Sequence, residues 1–251
     1  MAVDTRSTWL RRFTTPGQPR LRLLCLPHAG GSASFFHPWG RAFGDDVEVM
    51  VARYPGRQER IADPFVTTME GMADALAQEL GPYLDTPLAV FGHSMGASVG
   101  YELTLRLRER YGVAPSVLLV SGRKPPHLLT PRTTDLDDDD SIAREVSRLG
   151  GTDAALLADP DLRELVLPAI RTDFRIVADY PARPGVPLPC PVVAYVGDSD
   201  PDVDPVSVSG WSDLAPGGFD MAVLPGDHFY LIDRRTELIT DIRARLESVR
   251  P

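Results

Sequence analysis

One segment constrains the fold of this chain more than any other: residues 88–97, with the sequence LAVFGHSMGA. Four apolar residues run directly into Gly-His-Ser-Met-Gly, and apolar residues at helical spacing follow to about residue 111. The pattern predicts a strand, a sharp turn and a helix, with Ser94 at the apex. Such a turn strains the serine backbone and exposes its side chain, and a Cβ at Gly92 or Gly96 would collide with neighbouring backbone. Ser94 is therefore the candidate nucleophile.

The Gly-x-Ser-x-Gly pattern alone is weak evidence, because it arises by chance in about one chain in ten of this length. A flexible loop rich in glycine and serine is the alternative interpretation. The apolar run before the motif and the helical pattern after it are the context that a nucleophile turn requires, and they favour the functional interpretation.

Length and charge limit the class of protein. The 251 residues, 43% of them hydrophobic, can bury a full core as one α/β domain over residues 1–251. No apolar run approaches the roughly 20 residues of a membrane span, and the first residues lack the core of a signal peptide, so we expect a cytoplasmic protein with no membrane partner. The net charge of -9 argues against nucleic acid, because phosphate binding needs clustered basic surface.

The sequence contains no pattern that indicates a metal or a cofactor, and we expect neither. Cys25 and Cys190 lie in or beside predicted strands, and we expect two buried free thiols. The four aspartates at residues 137–140 suit a helix N-terminus, and a solvated, mobile linker is favoured over a metal site for this run. We also expect the chain to be a monomer.

Strands and helices alternate along the first half of the chain, beginning with a helix expected at residues 35–43. Alternation of this kind implies right-handed crossovers and a mostly parallel central sheet with helices on both faces. A final helix is predicted at residues 236–249. The predicted strands of the sheet lie at residues 21–26, 47–52, 88–91, 115–121, 190–196 and 219–224.

The alternation stops between residues 122 and 189. This stretch has a connection rich in proline and aspartate and helical patterns at residues 141–149 and 160–180, the second of which Pro168 should bend or break. An insertion at this point lies above the carboxyl edge of a parallel sheet, where α/β proteins place their ligands. We expect residues 122–189 to form a helical lid over Ser94.

Residues after two later strands supply the groups that a serine nucleophile requires. A hydroxyl needs a base to accept its proton, and the base needs a third group to fix its tautomer. Ser94, an aspartate at position 198 or 200, and His228 occur in the chain order of the α/β-hydrolase fold. We favour Asp200 over Asp198, because the acid of this turn usually lies three residues beyond its glycine.

The remaining histidines are weaker candidates for the base. His93 precedes the nucleophile directly, so its side chain should point away from Ser94. His28 is expected to line the loop after the first central strand. His37 and His127 are expected on the surface or the lid.

The loop at residues 27–32, with the sequence PHAGGS, is a candidate oxyanion loop, although a plain tight turn is the alternative. Its small residues leave backbone N–H groups free to face a developing negative charge. In hydrolases with a nucleophile turn, such a loop supplies one donor and the residue after the nucleophile supplies the other. By position, these donors are the amides of Ala29 and Met95.

Six motifs along nearly the whole chain resemble those of the free-standing type II thioesterases of polyketide and nonribosomal peptide synthesis. They are PHAGGS, YPGRQER, FGHSMGA, SGRKPP, GDSDP and GDHFYL, in this order and spacing. The resemblance implies an α/β-hydrolase fold with a helical lid, and hydrolysis of acyl groups from the phosphopantetheine arm of acyl or peptidyl carrier proteins. It assigns the nucleophile, acid and base to Ser94, Asp200 and His228, and the oxyanion donors to the amides of Ala29 and Met95.

The chain departs from this family at Asp227, where a second glycine is usual before the histidine. Asp227 adds a charge near His228, and we expect it to cap or support the loop. Carrier proteins are generally acidic, as is this chain, so docking would need a local basic rim, with scattered surface arginines as the alternative. The candidates for the rim are Arg57, Arg60, Arg123, Lys124 and Arg132.

Two other functions stay open at this point. A general carboxylesterase of the same fold would use the same three side chains, and comparing an acyl carrier protein with an oxygen ester of the same acyl chain separates the two. A non-catalytic binding protein of the hydrolase fold is the other alternative, and the complete set of catalytic groups argues against it.

Overall fold

The computed structural model describes residues 8–13, 17–130, 135–150, 157 and 159–248. A seven-stranded sheet forms its centre, and its strands are β1 (Leu10–Arg12), β2 (Leu21–Leu26), β3 (Val47–Ala52), β4 (Leu88–His93), β5 (Val117–Ser121), β6 (Val192–Gly197) and β7 (Phe219–Leu224). Their order across the sheet is β1-β3-β2-β4-β5-β6-β7. β1 pairs antiparallel with β3 at one edge, and the remaining pairs are parallel. The prediction of a mostly parallel sheet is confirmed.

Helices cover both faces of the sheet. They are α1 (Met69–Leu80), α2 (Met95–Tyr111), α3 (Asp139–Leu149), α4 (Pro160–Ala178), α5 (Pro205–Ser209), α6 (Tyr230–Asp233) and α7 (Arg235–Glu247). Successive side chains of a strand point to opposite faces. Leu24 and Leu26 of β2 therefore pack in the core that α1 and α2 cover, whereas Leu23 and Cys25 pack in the core that α7 covers. Within the described ranges, no helix is long and apolar enough to cross a membrane.

Two predicted helices contain a proline, and the structure differs from the prediction at both. The segment expected to form a helix at residues 35–43 is a 3-10 helix, Ala33–Trp39, and it contains Pro38, which has no N–H to donate. In contrast, α4 continues through Pro168, so the predicted break is wrong. The helix tolerates this proline because Ile170 and Phe174, two and six residues further on, are buried in a shared core with α3.

The acidic run at residues 137–140 belongs to the pair of helices α3 and α4. Asp138 caps α3 and accepts hydrogen bonds from the amides of Asp140 and Ser141. The other three aspartates pair with arginines of α4: Asp137 with Arg175 at 2.6 Å, Asp140 with Arg163 at 2.6 Å, and Asp139 with Arg171. The four aspartates are exposed, and the run lies at a helix N-terminus, as the sequence predicts. The sequence pattern does not show the arginines that meet this run.

The insertion between β5 and β6 packs its helices over the end of β2. Side chains of α3 and α4 form a separate small core that also contacts Ala29, in the loop after β2. The members of this core include Ile142, Val146, Leu167, Ile170 and Phe174. The two helices therefore lie at the carboxyl edge of the sheet, where the sequence places the candidate nucleophile. A movable lid over residues 122–189 stays a prediction.

Candidate active site

Ser94 lies in a strained turn between β4 and α2. Its φ of 53° and ψ of -117° are values that a residue with a Cβ rarely adopts. The amide of Ser94 donates to the carbonyl of Ser121 at 2.8 Å, which fixes the turn to β5. A Cβ added to Gly96 would lie 2.1 Å from the carbonyl oxygen of Leu26, and one on Gly92 would lie 2.2 Å from the carbonyl oxygen of Gly96. Only glycine fits at either position, as the sequence predicts.

His228 and Asp200 meet at the ends of two neighbouring strands. His228 follows β7 and Asp200 follows β6, and Nδ1 of the imidazole lies 2.7 Å from Oδ2 of the carboxylate. The two side chains are only 3% and 0% exposed. The other carboxylate oxygen, Oδ1, accepts the amides of Asp202 at 2.9 Å and Val203 at 3.1 Å. These bonds fix the orientation of the carboxylate toward the imidazole.

The other acids near the base have different partners. Asp198, the alternative candidate, is exposed and accepts the amide of Gly226 at 3.0 Å, so it braces the loop after β6 against the loop after β7. Asp227 is also exposed, and its Oδ1 accepts the amide of Phe229 at 2.7 Å. The structure therefore places Asp200, and neither of these acids, in contact with His228.

The remaining nitrogen of the His228 imidazole, Nε2, is buried. Nε2 has no hydrogen-bond partner among the described residues, so no bond joins it to Ser94 in this structure. Both residues line one small cavity, whose walls include Ile170, Phe174 and Val177 of α4. Hydrogen bonds between catalytic groups are often long until substrate binds. A buried acceptor without a partner beside a serine hydroxyl is what a general base requires.

Two backbone amides border the same cavity. Met95 is the first residue of α2, so its amide has no partner within the helix and lies at the positive end of the helix dipole. Ala29 lines the cavity together with Ser94. Among the described residues, the Ala29 amide donates no hydrogen bond. Both amides are thus available to an anionic oxygen.

His93 is a buried neighbour of the base with a partner of its own. Its Nδ1 lies 2.9 Å from the hydroxyl of Ser121, which in turn lies 2.6 Å from the hydroxyl of Tyr230. Its ring centroid is 5.0 Å from that of His228. Burial, followed by the charges of His228 and His28, holds the pKa of His93 well below its usual range. His93 is therefore a neutral packing residue.

A buried ion pair beside the oxyanion loop was missed by the sequence analysis. Arg57, a candidate for the basic rim, is only 9% exposed, and its guanidinium donates to both oxygens of Asp173 at 2.6 and 2.9 Å. Arg57 contributes no surface charge, so that prediction is wrong. The signal in the sequence was Asp173 itself, because helical spacing places it on the same face of α4 as Ile170 and Val177. Its partner lies 116 residues away and has no local signature.

The other rim candidates differ in their surroundings. Arg60 pairs with Asp63 at 2.7 Å, and Arg123 donates to the hydroxyl of Ser98 at 2.9 Å. Lys124 is half-buried. Arg132 lies outside the described residues. A basic docking rim stays a prediction for these four.

The thiols lie apart from this chemistry. Cys25 and Cys190 are free and buried, as expected. Burial raises the pKa of Cys190 to about 12, so its thiol is protonated at neutral pH. In the part of the chain that the structure describes, no three His, Cys, Asp or Glu side chains are grouped as ligands for a metal ion.

The order of elements and the placement of Ser94, Asp200 and His228 at the carboxyl ends of parallel strands are typical of serine hydrolases. The expected α/β-hydrolase fold is confirmed by solved structures of the same architecture. Residues 21–246 match the family model of the thioesterase domain. The chain belongs to this thioesterase family.

Individual relatives agree with this assignment. Thioesterase PikA5 of Streptomyces venezuelae is 41% identical over 239 residues, which cover 95% of this chain and 85% of that protein. The structure of BorB, the type II thioesterase from the borrelidin biosynthetic cluster, matches with a TM-score of 0.85 at 37% identity and covers 95% of this chain and 97% of that one. YbtT, the type II thioesterase from the yersiniabactin NRPS/PKS pathway, matches with a TM-score of 0.82 at 30% identity, covering 93% and 96%. The expectation of a thioesterase enzyme that resembles the type II class is confirmed.

Proposed function

We propose that this enzyme hydrolyses acyl thioesters on the phosphopantetheine arm of carrier proteins in polyketide or nonribosomal peptide synthesis, and so removes aberrant or stalled acyl groups. The observation that carries the proposal is the buried pair of Asp200 and His228, whose free Nε2 lines the same cavity as Ser94. The biosynthetic settings of BorB and YbtT support the substrate class. The proposal includes a monomeric enzyme in the cytoplasm.

The first half of the reaction transfers the acyl group to Ser94. Nε2 of His228 accepts the hydroxyl proton as Oγ attacks the thioester carbonyl, and Asp200 stabilises the imidazolium that forms. The amides of Ala29 and Met95 hold the oxyanion. Collapse of the tetrahedral intermediate breaks the carbon–sulfur bond, and the imidazolium donates its proton to the departing thiolate. The carrier leaves with a free thiol, and the acyl group stays on Ser94 as an ester.

The second half releases the acid. Nε2 of His228, neutral again, accepts a proton from the water that attacks the ester carbonyl. The same two amides hold the second oxyanion. As this intermediate collapses, the imidazolium returns its proton to Oγ of Ser94, and the carboxylic acid departs.

A second cavity offers space for the acyl chain or for the phosphopantetheine arm. It measures about 420 Å³ and adjoins the Ser94 cavity, since His28 and Ile170 line both. One wall is apolar and comes from Leu165, Val166 and Ala169 of α4. The other lining residues include the glycines and serines of residues 30–34 together with Phe35 and Gln58. We propose that a long acyl chain lies along the α4 wall.

We expect Ala169→Phe to lower kcat/KM about tenfold or more for long acyl thioesters and to leave acetyl thioesters nearly unchanged. Ala169 is buried and lines the larger cavity, so a phenyl ring there takes space that only a long chain needs. The measurement is kcat/KM for acyl-pantetheine thioesters from acetyl to dodecanoyl. Leu162→Phe, at an exposed position of the same helix, serves as the control. An equal loss at every chain length would place the acyl chain elsewhere.

The substrate class is tested by comparing kcat/KM for an acylated carrier protein, the matching acyl-pantetheine and an oxygen ester of the same chain. We expect the carrier thioester to exceed the oxygen ester at least about tenfold, because the carrier adds binding contacts and the thiolate leaves more readily than an alkoxide. A preference for the oxygen ester would indicate a general carboxylesterase. Failure of Ser94 to react with a fluorophosphonate would indicate a non-catalytic binding protein.

A further inference from the structure

Asp173 of α4 accepts a hydrogen bond from the backbone of the candidate oxyanion loop, residues 27–32. Its Oδ2 accepts the amide of Gly30 at 2.8 Å, and the same carboxylate forms the two bonds with Arg57. Arg57 in turn donates to the carbonyl of Gly31 at 3.0 Å. One ion pair therefore fixes a donor and an acceptor in the two residues that follow Ala29.

The same face of α4 also packs on this loop. Gly30 has a φ of 76°, and a Cβ on it would lie 2.8 Å from Cγ1 of Ile170. Ile170 precedes Asp173 by three residues, so both side chains lie on one face of the helix. α4 therefore meets Gly30 through a hydrogen bond to its amide and through the side chain of Ile170, which leaves no room for a Cβ.

The ion pair of Asp173 and Arg57 joins α4 to the loop at a cost in desolvation free energy. Asp173 is 1% exposed, and burying two charges costs free energy that their attraction often fails to recover. Apolar side chains would hold the helix as firmly. What they could not supply is an acceptor for the amide of Gly30 and a donor for the carbonyl of Gly31. The value of the pair therefore lies in orienting peptide groups.

We infer that Asp173 and Arg57 are positioning residues that set the orientation of the Ala29 amide, and that they couple docking of α4 to stabilisation of the oxyanion. The inference rests on the proposed function, in which this amide is an oxyanion donor. When α4 leaves, the peptide between Ala29 and Gly30 loses its partner, and its rotation can displace the preceding peptide, which carries the Ala29 amide N–H. Efficient hydrolysis then requires α4 to be seated over the cavity.

The test is the double variant Arg57→Met with Asp173→Leu, which removes both charges and so leaves neither of them buried without its partner. Four quantities are measured on the purified enzyme: kcat and KM for a small soluble acyl thioester, the calorimetric affinity for an alkyl boronic acid, and the thermal midpoint. The boronic acid forms a tetrahedral adduct with an active serine and needs no turnover. Arg171→Gln, which breaks an exposed ion pair of the same helix, is the matched control.

We expect the double variant to lose about 10- to 100-fold in kcat, with KM nearly unchanged, because a misdirected donor loses part of the 10²- to 10³-fold that one oxyanion donor contributes. Its boronate affinity should fall by a similar factor. Arg171→Gln should stay within about twofold in every quantity. If the double variant does not fold, Asp173→Asn replaces it, with a smaller loss expected in the same two quantities.

Unchanged kcat and boronate affinity in a folded variant would overturn the inference and leave the pair a purely structural role. A rise in KM alone would also overturn it, because the pair would then act on substrate binding. Failure of the proposed function looks different: the wild-type enzyme would release no acid from any acyl thioester. Boronate affinity would still decide the inference in that case, and a wild-type protein that does not bind the boronate would refute both.

Discussion

Replacing Ser94 with alanine should lower the rate of thioester hydrolysis at least about 10⁴-fold and leave binding of the carrier protein intact. The substitution removes the hydroxyl at the apex of the strained turn, in the cavity that His228 also lines. Alanine keeps the Cβ and loses only the hydroxyl. The two oxyanion amides and the cavity remain, so some residual rate above that of water is expected.

The measurement is release of free acid from an acylated carrier protein under single-turnover conditions, together with the dissociation constant of the same carrier. Ser116→Ala is the matched control, because this serine precedes β5 at the opposite end of the sheet from the active site. It should keep its rate within about twofold of the wild type. Hydrolysis that survives in Ser94→Ala would remove Ser94 from its role as nucleophile.

The second large effect is expected for Asp200→Asn, which should lower kcat about 10³- to 10⁴-fold with little change in KM. Asparagine keeps the size of the side chain and loses its charge. The imidazolium of His228 then has no anion to stabilise it, and an amide N–H in contact with Nδ1 favours the wrong tautomer. Steady-state kinetics on a carrier thioester and on acyl-pantetheine should show the same loss.

Asp198→Asn is the matched control for this substitution. Asp198 lies two residues earlier in the same loop, is exposed, and accepts the amide of Gly226 and the hydroxyl of Ser199 at one oxygen, for which asparagine still offers an acceptor. We expect its kcat to stay within about twofold of the wild type. A larger loss of kcat in Asp198→Asn than in Asp200→Asn would identify Asp198 as the catalytic acid and refute the assignment of this role to Asp200.

The position of the candidate site could be predicted because its signals are local. Gly92 and Gly96 flank Ser94 at a spacing that only a tight turn requires. Asp200 and His228 each follow an apolar strand, and the carboxyl ends of parallel strands meet at one edge of a sheet. The periodicity of apolar residues and the loop chemistry therefore sufficed to bring together residues separated by more than a hundred positions.

The features that the sequence analysis missed depend on partners far away in the chain. Arg57 looks like a surface charge until Asp173 of α4 is placed against it. The acidic run at residues 137–140 is solvated as expected, but its ion pairs with arginines of α4 could not be predicted, because those arginines lie 23 to 38 residues further along the chain. The residue type alone does not show whether a charged side chain faces water or a buried partner. Only the tertiary structure distinguishes the two cases.

At Pro168, in contrast, a local signal in the sequence predicts the wrong structure. Proline lowers the stability of any helix interior, and the sequence predicts a bend or a break. The buried side chains of Ile170 and Phe174 keep α4 continuous, because burial of an apolar side chain contributes about 1.5 to 3 kcal/mol each. That is comparable to the cost of about 3 kcal/mol for one interior proline. Tertiary packing outweighs local preference here.

The most direct test is a crystal structure of the enzyme after reaction with an alkyl fluorophosphonate, whose product mimics the tetrahedral intermediate. We predict a phosphorus bond to Oγ of Ser94 and a phosphoryl oxygen about 3 Å from the amide nitrogens of Ala29 and Met95. Nε2 of His228 should lie within hydrogen-bonding distance of the adduct. An adduct on another residue, or one on Ser94 whose oxygen faces away from both amides while His228 stays out of reach, would contradict the proposed mechanism.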